Sequence, residues 1–375
     1  MTQRPRLALV LSGGGARAAY QAGVLLAVAE RIPAGAPIPF AVLCGTSAGA
    51  INAAALAAGS FRFADAAERL RSVWAGLHVG DVFRTDAWSL LRRALGLAGS
   101  LGRRRPASLL DSAPLGAFLR RTIRFEAIRE ALDAGVIEAL AVTAHAYRSG
   151  LSVTFCQGRG PEAAWERAQR VGVPAAIGVD HLLASCAIPL VFPPAAVDGE
   201  WYGDGAVRQI APTAPALHLG ADRILVVGAH GRARHAAASA PGTPPSTAQI
   251  GSEVLAGMFT DALGTDLEKV RLVNAAVRQI HPAALRESPV PLRDVALLEI
   301  SPAASLEELA LEHFRDLPRG LRLLLRGVGV GGRGGGGLLS YVLFEPGFCR
   351  ALLDLGRADA ERRGAEIDAF LDGAV

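Results

Sequence analysis

Two short apolar runs, each stopped by glycine and each followed by a helix-forming stretch, precede Gly59 and confine the chain to a small set of folds. Leu7 to Leu11 is apolar throughout and ends at Gly13-Gly14-Gly15, after which Ala16 to Arg31 has helix-forming composition until Pro33. Phe40 to Cys44 repeats the pattern. It meets Gly45-Thr46-Ser47-Ala48-Gly49 and passes into the alanine-rich Ala50 to Ala58. Apolar runs this short and unbroken read as strands covered on both faces. Strand, turn and helix twice in succession build a parallel sheet flanked by helices, so the expected class is α/β.

Further strands are expected at Ile137 to Thr143, Leu151 to Cys156, Arg223 to Val227 and Leu292 to Ile300. Residues 61 to 135 read as amphipathic helices with a Gly- and Arg-rich break at 96–106. His181 to Ala187 reads as a helix end, and Ile188 to Pro194 as a rigid, proline-bounded connection. Ala233 to Gln249 has the Ala, Ser, Pro and Thr content of a mobile loop. Gly327 to Gly337 contains eight glycines; no Gly-Lys-Ser/Thr follows, which favours a flexible linker over a phosphate loop. The organisation expected is a catalytic domain over 6–230, a flexible loop over 231–250, and a mostly helical extension over 251–375 that packs on the domain.

Hydrophobic residues make up 51% of the 375 and charged residues 20%, enough apolar content for a packed core and too much for a disordered chain. The net charge of +4 is carried by arginine, because Lys269 is the sole lysine. Arg103-Arg104-Arg105, bracketed by Leu101 and Leu109-Leu110, fits either anionic lipid head groups or a solvated loop. Cys44, Cys156, Cys186 and Cys349 lie too far apart for a structural zinc site. Cys44 and Cys186 sit in apolar runs, as buried thiols in a reducing compartment do. The basic start, Met1 to Arg6, is followed by too short an apolar run for export or membrane insertion. The expectation is a cytoplasmic protein, with peripheral membrane contact left open.

Gly45-x-Ser47-x-Gly49 fits a nucleophile elbow, a serine on a sharp turn between strand and helix. The flanking glycines let the backbones approach, and the helix N-terminus behind the serine favours developing negative charge. Gly13, Gly14 and Gly15 offer backbone N–H groups unobstructed by side chains, a nest for the oxygen of a tetrahedral intermediate. Ala48 N–H, just after the nucleophile, is a further donor. Arg17 either orients this loop, meets a phosphate or makes a salt bridge. Gly13-x-Gly15-x-x-Ala18 also matches a dinucleotide fingerprint, but the second strand ends without the acidic residue that reading requires. In Trp201-Tyr202-Gly203-Asp204-Gly205-Ala206, a turn between glycines places a carboxylate behind two aromatic rings that exclude water.

Together these residues resemble the patatin-like phospholipases over roughly residues 6 to 230. The family's oxyanion loop is matched by Gly13-Gly14-Gly15-Ala16-Arg17 and its elbow by residues 45–49. Its Ala-Ser-x-x-x-Pro and Phe-Pro-Pro segments are matched by Ala184-Ser185 through Pro189 and by Phe192-Pro193-Pro194. Its catalytic Asp-Gly-Gly/Ala is matched by Asp204-Gly205-Ala206. The resemblance implies a three-layer α/β/α fold with a mostly parallel sheet and a Ser47–Asp204 dyad. It also implies hydrolysis of lipid or phospholipid acyl esters, and neither metal nor organic cofactor. Two departures stand out: Ala18 replaces a glycine after the basic residue, and Gln209-Ile210-Ala211-Pro212 replaces an Asn-x-Pro.

Three alternatives stay open. An α/β-hydrolase would use Ser47, Asp204 and His230 or His281, although 46 residues leave room for about two strands before the elbow. A malonyl-transferase-like acyltransferase would pair the elbow serine with a histidine. A catalytically inert lipid-binding module would keep the fold without turnover. Nothing in the pattern points to nucleic acid.

Overall fold

The computed structural model describes residues 5–84, 108–158, 164–231, 247–287, 292–327, 329–330 and 335–373. The Arg103-Arg104-Arg105 run, most of the loop expected at Ala233 to Gln249, and residues 328 and 331–334 of the glycine run lie outside them.

The sheet grows outward from the two runs that opened the sequence. β1 (Leu7–Leu11) and β2 (Val42–Thr46) are buried at every position and pair in parallel. β9 (Arg223–Val227) joins the other edge of β1, and β10 (Ala296–Ile300) joins β9, both in parallel. β3 (Ala139–Ala146) follows β2 in parallel and is itself buried throughout. Beyond it the sheet turns mixed through β4 (Ser152–Gly158), β6 (Arg170–Pro174) and β5 (Trp165–Arg167). The hairpin of β7 (Ala195–Val197) and β8 (Glu200–Asp204) attaches to β3. Apolar side chains on the two faces form two separate buried clusters, as helices packed on both sides of a sheet require.

The larger cluster holds α1 (Ala19–Ala29), α2 (Ala48–Ala58) and α3 (Phe63–Ala75). Two further helices, α4 (Ala113–Thr122) and α5 (Phe125–Asp133), lead to β3, and α6 (Val179–Ser185) precedes the β7–β8 hairpin. After β9 come α7 (Ala262–Val277), α8 (Leu306–Glu312), α9 (Gly336–Val342) and the long α10 (Pro346–Arg362). Residues beyond 250 thus supply an edge strand to the sheet as well as helices. α10 crosses α1 closely, because Gly356 lies against the Tyr20 carbonyl and Gly23 against the Leu353 carbonyl. No side chain fits at either position.

Several elements differ from the sequence expectation. The helix expected from Ala16 starts at Ala19; Gly15–Ala18 is a 3₁₀ turn in which the Arg17 N–H donates to the Gly14 carbonyl. β3 runs past Thr143 to Ala146, because β4 and β8 bond its last residues from opposite edges. The small strands β5 to β8 were not foreseen, and Asp204 ends a strand where a turn was expected. Gly335 and Gly336 pack against the Val330 and Glu307 backbones, with Gly336 opening α9, so this part of the glycine run is no loose linker.

Gly356→Val drives a side chain into the α1 backbone, and overpacking of this kind costs about 1–3 kcal/mol or more. Thermal unfolding followed by circular dichroism should show a midpoint several degrees lower. An unchanged midpoint would mean that the two helices do not approach as described.

Candidate active site

Ser47 sits between the last residue of β2 and the first of α2, with φ +55° and ψ −131°, a conformation a non-glycine residue adopts at a cost of about 1–3 kcal/mol. The flanking glycines make the turn possible. Gly45 packs on the Gly49 and Ala50 backbone, and Gly49 on the carbonyls of Leu11 and Ser12, so a side chain at either would open the elbow. A third group holds it shut. The Ser47 N–H donates to Ser185 Oγ (2.8 Å), and the Ser185 hydroxyl donates to the Thr143 carbonyl (2.6 Å). Ser185 belongs to the Ala-Ser motif, yet only the structure reveals that it anchors the serine's own backbone.

Asp204 reaches the same place along β3. The β2–β3 ladder ends at Thr46 opposite Thr143, and on that same edge the next residue, Ala144, lies opposite Asp204. The carboxyl is fully buried. Its Oδ1 accepts the Ala206 N–H at 2.9 Å, while Oδ2 has no partner at ordinary hydrogen-bond length. Burial pushes its pKa up to about 7; the Ser47 hydroxyl and the Ala206 N–H pull it back down.

The glycine loop closes the third side. Gly13 faces Ser47, with only 3.2 Å between the Ser47 Cβ and a side chain built at Gly13. Among the described residues, no acceptor takes the N–H of Gly13 or Gly14. Gly15, at φ +56°, rests on the Tyr341 carbonyl. The N–H of Ala48 opens α2 and therefore has no partner within the helix. The Ser47 N–H is committed to Ser185, which takes it out of the donor set.

Arg17 does not point at this space. Its guanidinium pairs with Glu307 (2.7 Å), donates to Ser340 Oγ (2.8 Å) and stacks on Tyr341, 4.1 Å from the ring centre. A buried amide network supports the loop from below. Gln21 donates to the carbonyls of Ser12 and Val227, Asn52 to the Ala18 carbonyl and Gln21 Oε1, and the Trp74 indole to Asn52. Sequence reasoning missed Gln21, Asn52 and Trp74. The lone amide in the alanine-rich α2 was the available signal. Glu307, Ser340 and Tyr341 carried none, lying far along the chain beside the glycine run.

An apolar cavity of about 90 Å³ opens at Ser47, lined by Ile51, Leu70, Leu115, Phe118, Leu119 and Phe344 among others. No histidine lines it among the described residues. His230 lies elsewhere, stacked on Phe259, with both ring nitrogens unpartnered and its pKa pushed down to about 3 by burial and by Arg17. Among the described residues no cluster of His, Cys, Asp and Glu could hold a metal ion, and no helix is long and apolar enough to cross a membrane.

Residues 9–217 match the family model of the patatin-like phospholipases. The chain belongs to this family. Solved structures with similarity include human GIVD cytosolic phospholipase A2 in complex with methyl gamma-linolenyl fluorophosphonate, 15% identical over 98% of this chain and 59% of that one, with a TM-score of 0.44. VipD from Legionella pneumophila is 14% identical over 94% and 67%, TM-score 0.32. ExoU of the Pseudomonas aeruginosa type III secretion system, solved with SpcU, is 16% identical over 97% and 79%, TM-score 0.28. The chain spans less than two thirds of the human protein's length. No curated protein sequence matches it significantly. The patatin-like assignment covers the glycine loop from its strand onward, the elbow, Ser185 and Asp204.

The raised pKa of Asp204 ties stability to pH. Between about pH 4 and 7 the folded chain keeps a proton that the unfolded chain has lost, so stability falls as pH rises through this window. Above it, holding the ionised carboxylate costs on the order of 4 kcal/mol. Asp204→Asn should therefore unfold at a higher temperature than the parent at pH 8, with the difference gone below pH 4. A variant no more stable at pH 8 would contradict the burial and pKa assigned to this carboxyl.

Proposed function

We propose that the protein hydrolyses acyl esters of lipids, with Ser47 as nucleophile and Asp204 as its base. The observation that carries this reading is the meeting of an elbow serine with a buried carboxylate whose second oxygen is otherwise unpartnered, at the end of an apolar cavity. In the ionised state Asp204 accepts the hydroxyl proton as Ser47 Oγ attacks the ester carbonyl. The oxygen of the tetrahedral intermediate takes hydrogen bonds from among Gly13, Gly14, Gly15 and Ala48, each such donor being worth about 100- to 1000-fold in rate. Collapse expels the alcohol, which takes the proton from Asp204. Water, deprotonated by the same carboxylate, then releases the fatty acid and restores the serine.

The other chemistries find less support. His230 is held neutral against Phe259 and does not line the cavity at Ser47, which disfavours both histidine-dependent alternatives. An inert module has no use for a strained serine, and strain of this kind gathers at working sites. Peripheral contact with a lipid surface belongs to the same proposal. Leu109 and Leu190, both exposed, are joined by a backbone hydrogen bond (2.9 Å) and adjoin Ile188 and Phe192 of the cavity wall.

A fluorophosphonate probe should label the protein on Ser47, because an activated serine attacks phosphorus as it attacks an ester carbonyl. Mass spectrometry of the labelled peptide reads the position. Ser47→Ala should abolish both labelling and release of fatty acid from a mixed lipid extract. Labelling of a different residue, or none in the parent, would overturn the assignment.

A further inference from the structure

A second cleft lies away from Ser47, at the free edge of the sheet. β10 is an edge strand, and a cleft of about 940 Å³ follows it along Leu297 to Glu299 and around the carboxyl ends of β9 and β10, where His230 and Ser301 sit. Its volume falls within the roughly 300–1,000 Å³ that small-molecule sites occupy. One wall is α7, through Leu263 and Gly264; another is α11 (Gly364–Asp372), through Ala369 and Phe370. In open α/β sheets, ligands bind beyond the carboxyl ends of the strands. The helical wall itself leaves room. A side chain built at Gly264 meets no atom within 4 Å, although glycine weakens a helix interior.

The groups inside determine what fits. His230 is only 7% exposed, and stacking on Phe259 holds its ring. Neither ring nitrogen has a hydrogen-bond partner among the described residues, whereas buried polar groups are nearly always paired. Burial and Arg17 push its pKa down to about 3, so the imidazole is neutral and offers one donor and one acceptor. The charges around the cleft are already matched. Arg271 pairs with Glu299 (3.0 Å), Arg363 grips both oxygens of Glu366 (2.8 and 2.6 Å), and the Ser301 hydroxyl donates to Glu299 (3.1 Å). An ionised ligand therefore finds no unpaired counter-charge among the described residues, and burying an unpaired charge is costly. A hydroxyl group donates and accepts at once, as the neutral imidazole does. Leu263, Leu298 and Phe370 offer apolar surface to the rest of such a molecule.

We infer that this cleft binds an uncharged amphiphile, its hydroxyl group at His230 and its hydrocarbon along Leu263, Leu298 and Phe370. The site is separate from Ser47 and stands independently of the hydrolase reading. One ring lies between the two: Phe259, which backs His230, also packs on Gly13 of the glycine loop.

The test is isothermal titration of the full chain with 1-O-octylglycerol, an ether with no ester bond to hydrolyse, below its aggregation concentration. Octanoate and octylammonium serve as charged probes of the same chain length. The parent should bind the ether saturably and each charged probe about tenfold or more weakly, the scale of one hydrogen bond lost. Gly264→Phe fills the cleft from an open helix position, where folding is least at risk, and should weaken binding of the ether by about tenfold or more. His230→Leu keeps an apolar side chain, removes both nitrogens and should cost a similar factor, with both variants checked by circular dichroism. No saturable binding by the parent, or binding unchanged in folded Gly264→Phe, overturns the site. Binding unchanged in folded His230→Leu, or a charged probe bound as tightly as the ether, overturns the ligand class.

Discussion

One edge of β3 is shared between two partners, and the site depends on that division. β2 occupies the edge as far as Thr143 and β8 takes it over at Ala144, while β4 fills the opposite edge throughout. The residue after the end of β2 is Ser47, and the last residue of β8 is Asp204. Two positions 157 residues apart in the chain are thus brought together by backbone register, before any side chain is considered. The Thr143 carbonyl adds a second hold, accepting from the Ser185 hydroxyl that in turn anchors the Ser47 N–H. Rigid strands can maintain a strained elbow that a mobile loop would relax.

The glycine loop depends on the other end of the chain. Arg17, Glu307 and Tyr341 join the loop to α8 and α9, and Tyr341 and Phe344 enter the cavity wall. The tight crossing of α1 and α10 fixes those elements relative to the sheet. Arg17 is buried but Glu307 is half-exposed, and an ion pair so open to solvent adds little net stability. Its contribution is geometric: it ties the loop at Arg17 to Glu307, Ser340 and Tyr341.

The parts of this arrangement written in local sequence were legible in advance. Apolar runs ending in glycine located β1, β2 and β9, and the elbow pattern placed Ser47 at a strand-to-helix turn, because turn chemistry depends on adjacent residues. The resemblance drew Asp204 out of an otherwise ordinary Asp-Gly. β5 to β8 escaped notice because they are short, and β5 and β6 are half-buried or exposed at nearly every position, so no buried face marks them in the sequence. The expected start of the first helix was early because a 3₁₀ turn has no distinct composition. Arg17 shows the limit most clearly: the sequence allows loop support, a phosphate contact or a salt bridge, and only the distant Glu307 and Tyr341 show that it makes an ion pair and a ring contact.

The central claim is that a carboxylate alone activates the serine. Its most direct test compares turnover of Asp204→Asn with that of His230→Ala, both checked for folding by circular dichroism. Asp204→Asn keeps the shape and removes the base, and members of such a unit typically account for about four to six powers of ten in rate. The account predicts a loss of that size for Asp204→Asn and a loss within about tenfold, the scale of ~1.4 kcal/mol of indirect packing, for His230→Ala. A folded His230→Ala enzyme as inactive as Asp204→Asn would contradict the account and put a histidine in the catalytic unit.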